Sequence, residues 1–135
     1  MKVFCILLVL FIFSNACTDQ IIVQSADYIP VTDLSKYNMK IIPVTPISSE
    51  NVRLVIYEDC QYNLLSGVTK NGNTISIEKH FNSMMKLPCM LRNDTIVIGK
   101  LSVGSYIVNY KLLDLSTFVK DPVALAISFN LLVSK

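Results

Sequence analysis

Val123-Ala124-Leu125-Ala126-Ile127-Ser128-Phe129-Asn130-Leu131-Leu132-Val133 is the stretch whose pattern decides the fold class. Val123, Leu125, Ile127, Phe129, Leu131 and Val133 fall on one side of an extended chain. Ala124, Ala126, Ser128 and Asn130 fall on the other. Successive side chains of a strand point to opposite faces, so a period of two with one apolar face predicts a half-buried strand. The same alternation recurs upstream. Val52, Leu54 and Ile56 oppose Arg53, Val55 and Tyr57; Ile75 and Ile77 alternate with Thr74, Ser76 and Glu78. Tyr106, Val108, Tyr110 and Leu112 alternate with Ile107, Asn109, Lys111 and Leu113. No apolar pattern of period 3.6 persists, and Glu78 to Met85 has room for one helical turn at most.

The punctuation agrees with strands. Asn71-Gly72 lies between two such runs and predicts a tight hairpin, because both residues accept positive φ. Pro43 and Pro46 interrupt the first run, as an edge strand tolerates. Arg92-Asn93-Asp94 is expected to separate Leu87–Leu91 from Thr95–Ile98. Seven or eight short strands over residues 39–135 are therefore expected, forming an all-β, antiparallel β-sandwich.

The first residues set the compartment. Lys2 precedes an unbroken apolar run, Val3 to Phe13, which gives way to Ser14-Asn15-Ala16. A spanning helix needs about 20 apolar residues, so this order reads as a cleaved secretory signal peptide over residues 1–16. Residues 17–38 then form a tether with room for an edge strand. Phe13-Ser14-Asn15-Ala16-Cys17 resembles a bacterial lipobox, in which the cysteine is acylated and becomes the mature N-terminus. The resemblance implies lipidation of Cys17 and membrane contact through a lipid anchor. The alternative is ordinary cleavage after Ala16, leaving Cys17 unmodified. Cysteine parity favours the anchor: once Cys5 leaves with the signal peptide, a lipid on Cys17 leaves Cys60 and Cys89 as a pair.

In an oxidising compartment, Cys60 and Cys89 are expected to form a disulfide. Closing a loop of about 30 residues contributes roughly 3–4 kcal/mol. The competing reading is a thiol enzyme in which His80 deprotonates one of the two, but neither cysteine is flanked by a nucleophile motif.

Leu101-Ser102-Val103-Gly104-Ser105-Tyr106 resembles the tyrosine corner of immunoglobulin-like and fibronectin-type sandwiches. That likeness implies a structural role for Leu101, Gly104 and Tyr106, with the phenol bonded to backbone just upstream. Over Asn51 to Leu113 the arrangement also resembles small exported β-domains of Bacteroides-type bacteria. These share a cysteine after the second strand, an Asn-Gly hairpin, a later cysteine and the Leu-x-x-Gly-x-Tyr turn.

The 135 residues include 12 Lys+Arg, 10 Asp+Glu, one His, four Cys and no Trp. A net charge of +2 gives no nucleic-acid footprint. A composition of 52% hydrophobic and 16% charged residues argues against disorder. One histidine excludes a two-histidine zinc site, and there is no Gly-x-Ser-x-Gly elbow or phosphate-binding glycine loop. Glu58-Asp59 reads as a solvated strand terminus, and His80 as an exposed polar residue after a strand. Asn93-Asp94-Thr95 fits a glycosylation sequon, which matters only in a eukaryotic host. No catalytic residue, metal site or cofactor is expected. Tyr28, Tyr37, Tyr57 and Tyr62 offer amphipathic rings to a protein or carbohydrate ligand, against the plainer role of ordinary strand residues. The small-residue face of the last strand offers a close approach to another surface. The reading is an exported, lipid-anchored binding or structural module of the cell envelope. The alternatives are a soluble secreted inhibitor or adhesin and, less favoured, a small thiol enzyme or hydrolase.

Overall fold

The structure, a computed structural model, describes residues 27–116 and 122–135. The signal peptide expected over residues 1–16 and the lipidation expected at Cys17 fall outside the described residues. The described chain forms eight strands: β1 (Ile29–Pro30), β2 (Met39–Ile42), β3 (Asn51–Cys60), β4 (Leu64–Asn71), β5 (Thr74–Phe81), β6 (Leu91–Lys100), β7 (Gly104–Asp114) and β8 (Val123–Val133). A 3₁₀ turn over Leu34–Tyr37 separates β1 from β2. The strands make two sheets, one of five in the order β1-β8-β7-β5-β4 and one of three in the order β2-β3-β6. The fold is an all-β sandwich. β1 and the 3₁₀ turn fall within the stretch read from sequence as a tether, and β1 is bonded into the larger sheet.

The core forms where the apolar faces meet. Val52, Leu54 and Ile56 of β3 and Ile96 of β6 oppose Ile75 and Ile77 of β5, Val108 and Tyr110 of β7, and Ile127 and Phe129 of β8. Most are almost fully removed from water. Burying side chains of this size contributes about 1.5–3 kcal/mol each, and this is the main force joining the layers.

Antiparallel ladders join β2–β3, β3–β6, β4–β5 and β7–β8, while β5–β7 and β1–β8 are parallel. A two-residue alternation is common to both ladder types, so the sequence pattern does not separate them. The cause is topological. After β5 the chain crosses to the small sheet as β6, then turns back through residues 101–103 to run beside β5 in the same direction. Strand β6 supplies the crossover that a parallel pair requires.

The expected tight hairpin forms, shifted by one residue: Asn71 pairs with Thr74, so the loop is Gly72-Asn73, with Gly72 at φ +57 where a side chain would be strained. One local expectation is corrected. Arg92-Asn93-Asp94 is not a break but part of β6, because pairing with β3 continues through it. Near its end β3 carries a bulge between Ile56 and Asp59, with Glu58 at φ +53. An inserted residue reverses strand parity. Tyr57 and Glu58 therefore both face out, and Asp59 turns in.

Candidate functional site

A groove of about 970 Å³ opens between β2, an edge of the small sheet, and the part of β8 that the two-residue β1 leaves uncovered. Its floor is apolar. Met39 and Ile41 of β2 and Phe129 and Leu131 of β8 line it and are themselves core residues. One end is closed by the 3₁₀ turn, where Asp33 accepts from the Ser35 hydroxyl at 2.6 Å and from the Ser35 N–H at 3.1 Å. Those two bonds hold the Asp33 carboxyl below its ordinary value. Val44, Thr45 and Pro46 close the other end.

The backbone of β8 is what distinguishes this groove. β1 pairs with β8 only at Ile127 and Ser128, and the Ser128 carbonyl accepts from the Val31 N–H at 2.7 Å. Ser134 bonds outward as well, donating to Pro46 at 3.0 Å and accepting from Ser48 at 3.1 Å. Even-numbered residues of this stretch therefore direct backbone N–H and C=O away from β7. Asn130 and Leu132 lie between the two clamps, and among the described residues their outward groups have no backbone partner. On β2, the Asn38 carbonyl accepts from the Tyr57 N–H at 2.7 Å, so the backbones of Met39 and Ile41 face the free edge. Two unpaired strand edges thus border one apolar slot.

A second cluster lies between the sheets. Lys79 of β5 is 0% exposed, and its Nζ donates to Asp59 Oδ2 of β3 and, at 2.6 Å, to Asp94 Oδ2 of β6. Asn63 Nδ2 donates to the other Asp59 oxygen at 2.7 Å. Burial pushes the Asp94 carboxyl up, but the hydrogen bond and charge of Lys79, with the Thr95 N–H and Arg92, outweigh it and hold it low. Burial, then the charges of Asp59 and Asp94, push the Tyr110 phenol well above its ordinary value. The solvated terminus expected at Glu58-Asp59 is therefore half right: Glu58 is exposed and Asp59 is buried. In the sequence Asp94 reads as part of a break and Lys79 carries no assigned role, although each continues an apolar parity, Ile75-Ile77-Lys79 and Asp94-Ile96-Ile98. A charge on the inward face of a strand was the available signal.

Cys60 and Cys89 form a disulfide, with Cα atoms 5.5 Å apart, which ties the end of β3 to the segment entering β6. The Tyr106 hydroxyl donates to the Ser102 carbonyl at 3.0 Å, and Leu101 is buried beside it. His80 is not beyond a strand but within β5, its Nδ1 2.6 Å from the Ser66 hydroxyl. The tyrosines do not converge. Tyr57 lines the groove, Tyr37 packs on the core and Tyr28 lies under Lys111, whose Nζ is 5.5 Å from the ring. Among the described residues no cluster of three or more His, Cys, Asp or Glu is placed to hold a metal, and no helix is long and apolar enough to cross a membrane. Compared with known protein families, curated proteins and solved structures, the chain matches none.

Proposed function

We propose that the protein is an exported, lipid-anchored module of the cell envelope that binds an extended polypeptide by strand addition and carries out no catalysis. The observation that carries this reading is the pair of outward, unpartnered residues Asn130 and Leu132 above an apolar floor. Strand addition draws affinity from main-chain hydrogen bonds and specificity from pockets that receive alternate side chains. The open stretch from Phe129 to Val133 matches an incoming segment of about five residues, roughly 17 Å long at the rise of a strand. Alternate apolar side chains of that segment would meet Met39, Ile41 and Phe129. Cys17, carrying lipid, would hold the sandwich at the membrane surface.

The test uses a displayed library of random linear peptides, panned on the folded mature chain. Enriched sequences should alternate apolar and polar residues. Their binding should be lost in Asn130→Pro, which removes an outward N–H and spares the ladder to β7. No enrichment, or binding that survives in the proline variant, refutes strand addition at β8. Intact mass of the native protein separates an acylated Cys17 from a bare one.

A further inference from the structure

We infer that Lys79 and Asp59 condense to form an amide that covalently joins the two sheets, with Asp94 carrying the proton. The reactants come from different strands and different layers: Lys79 from β5 in the large sheet, Asp59 and Asp94 from β3 and β6 in the small one. The amine is fully buried and touches both carboxylates, while Asp59 is nearly buried and Asp94 sits at the partly open side.

Three features favour bond formation over a plain ion pair. An ammonium needs one carboxylate, and here two contact it, which leaves the second free to accept a proton. Asn63 holds and polarises the Asp59 oxygen that does not face the amine, where negative charge develops when the carboxyl carbon is attacked. Finally, the ordinary obstacle to condensation is the strong hydration of both ions. Burial removes that hydration, and the amide leaves no charge at either reacting group. Well-oriented intramolecular reactions reach effective concentrations of about 10⁵ M or more.

The step balances without a co-reactant. Asp94 takes a proton from the Lys79 ammonium, and the freed amine attacks Asp59 Cγ. The nitrogen of the tetrahedral intermediate loses a second proton. The carboxyl oxygen Oδ2 leaves as water with the two protons, one of them returned by Asp94. One N–C bond forms, one C–O bond breaks and one water departs. Asp94 ends as it began. The product would sit beside the Cys60–Cys89 disulfide, giving that end of the sandwich two covalent ties.

The test is the intact mass of the folded chain after reduction, alkylation and denaturation. The expected result is a mass one water below that of the sequence. Proteolysis should then release a branched peptide joining the Asp59 segment to the Lys79 segment. Lys79→Met should restore the full mass. Asp94→Asn should restore it too, in protein that retains its β-sheet circular dichroism. A full mass in folded wild-type protein overturns the inference, and this outcome needs no variant to fold. A water deficit that persists in Lys79→Met, or that yields no branch, marks a succinimide at Asp59 and overturns it equally. Asp94→Asn that condenses as fast as wild type removes Asp94 from the step.

Discussion

In protein that has not formed the Lys79–Asp59 amide, replacing both Cys60 and Cys89 by alanine should lower stability by about 3.6 kcal/mol. The two cysteines are 29 residues apart in sequence. In the chain-entropy account, closing a loop of that length removes about 12 cal/mol/K from the unfolded ensemble, which is about 3.6 kcal/mol at 25 °C. Packing adds little to this loss, because Cys89 is exposed and Cys60 only half-buried. The figure is a large share of a total stability of about 5–15 kcal/mol. Urea denaturation followed by circular dichroism measures it. With an m value of about 1.5 kcal/mol/M, the midpoint should fall by about 2.4 M while m changes little. Wild-type protein unfolded in reductant should follow the curve of the double variant. A midpoint within about 0.5 M of wild type, or a reduced wild type that behaves unlike the variant, refutes the claim that this link acts on the unfolded chain.

Tyr106→Phe removes the hydroxyl that donates to Ser102 and should cost about 0.5–1.5 kcal/mol in thermal unfolding, with the fold retained. Leu54→Ala, at a position with 0% exposure between the sheets, should cost about 2–5 kcal/mol by urea denaturation. Leu132→Asp, on a residue 68% exposed at the rim of the groove, should leave stability within about 0.5 kcal/mol and abolish binding of the selected peptides by fluorescence anisotropy. Hydrogen bonding from the Ser83 side chain holds the Asp114 carboxyl low, against burial and with help from the Ser83 and Ser116 N–H groups. A folded value below the unfolded one of about 3.9 means that its contribution is present above about pH 4 and is lost as pH falls through the folded value. Urea midpoints measured from pH 6 to pH 2 should show a steeper acid loss for wild type than for Asp114→Asn.

The layers of this fold are legible because burial on one face leaves a two-residue period in the chain. Leu125, Ile127, Phe129, Leu131 and Val133 of β8, five of the six residues that the alternation from Val123 to Val133 picks out, face the core. Strand direction is not legible in the same way. Ile77 of β5 and Tyr110 of β7 are register partners in a parallel ladder, and either orientation would bury both. What fixes it is the passage of the intervening chain through β6 in the other sheet, a fact about connectivity that no local period encodes.

The two sites fail to show in sequence for different reasons. Lys79 and Asp94 carry a local mark, a charge in the inward parity of an apolar strand, and a burial rule applied strictly would have isolated both. Asp59 carries none, because its inward position depends on the bulge at Glu58, and the bulge is defined by pairing with β6 rather than by β3 alone. A straight β3 would place Glu58 inward and leave Asp59 in water. The groove is less legible still. Asn130 and Leu132 read as ordinary outward residues, and nothing in their side chains marks their main chain as unpaired. That property arises because β1 stops pairing at Ser128 and pairing resumes at Ser134. A site made of backbone vacancies is written in where neighbouring strands end, so it becomes visible only once sheet order is known.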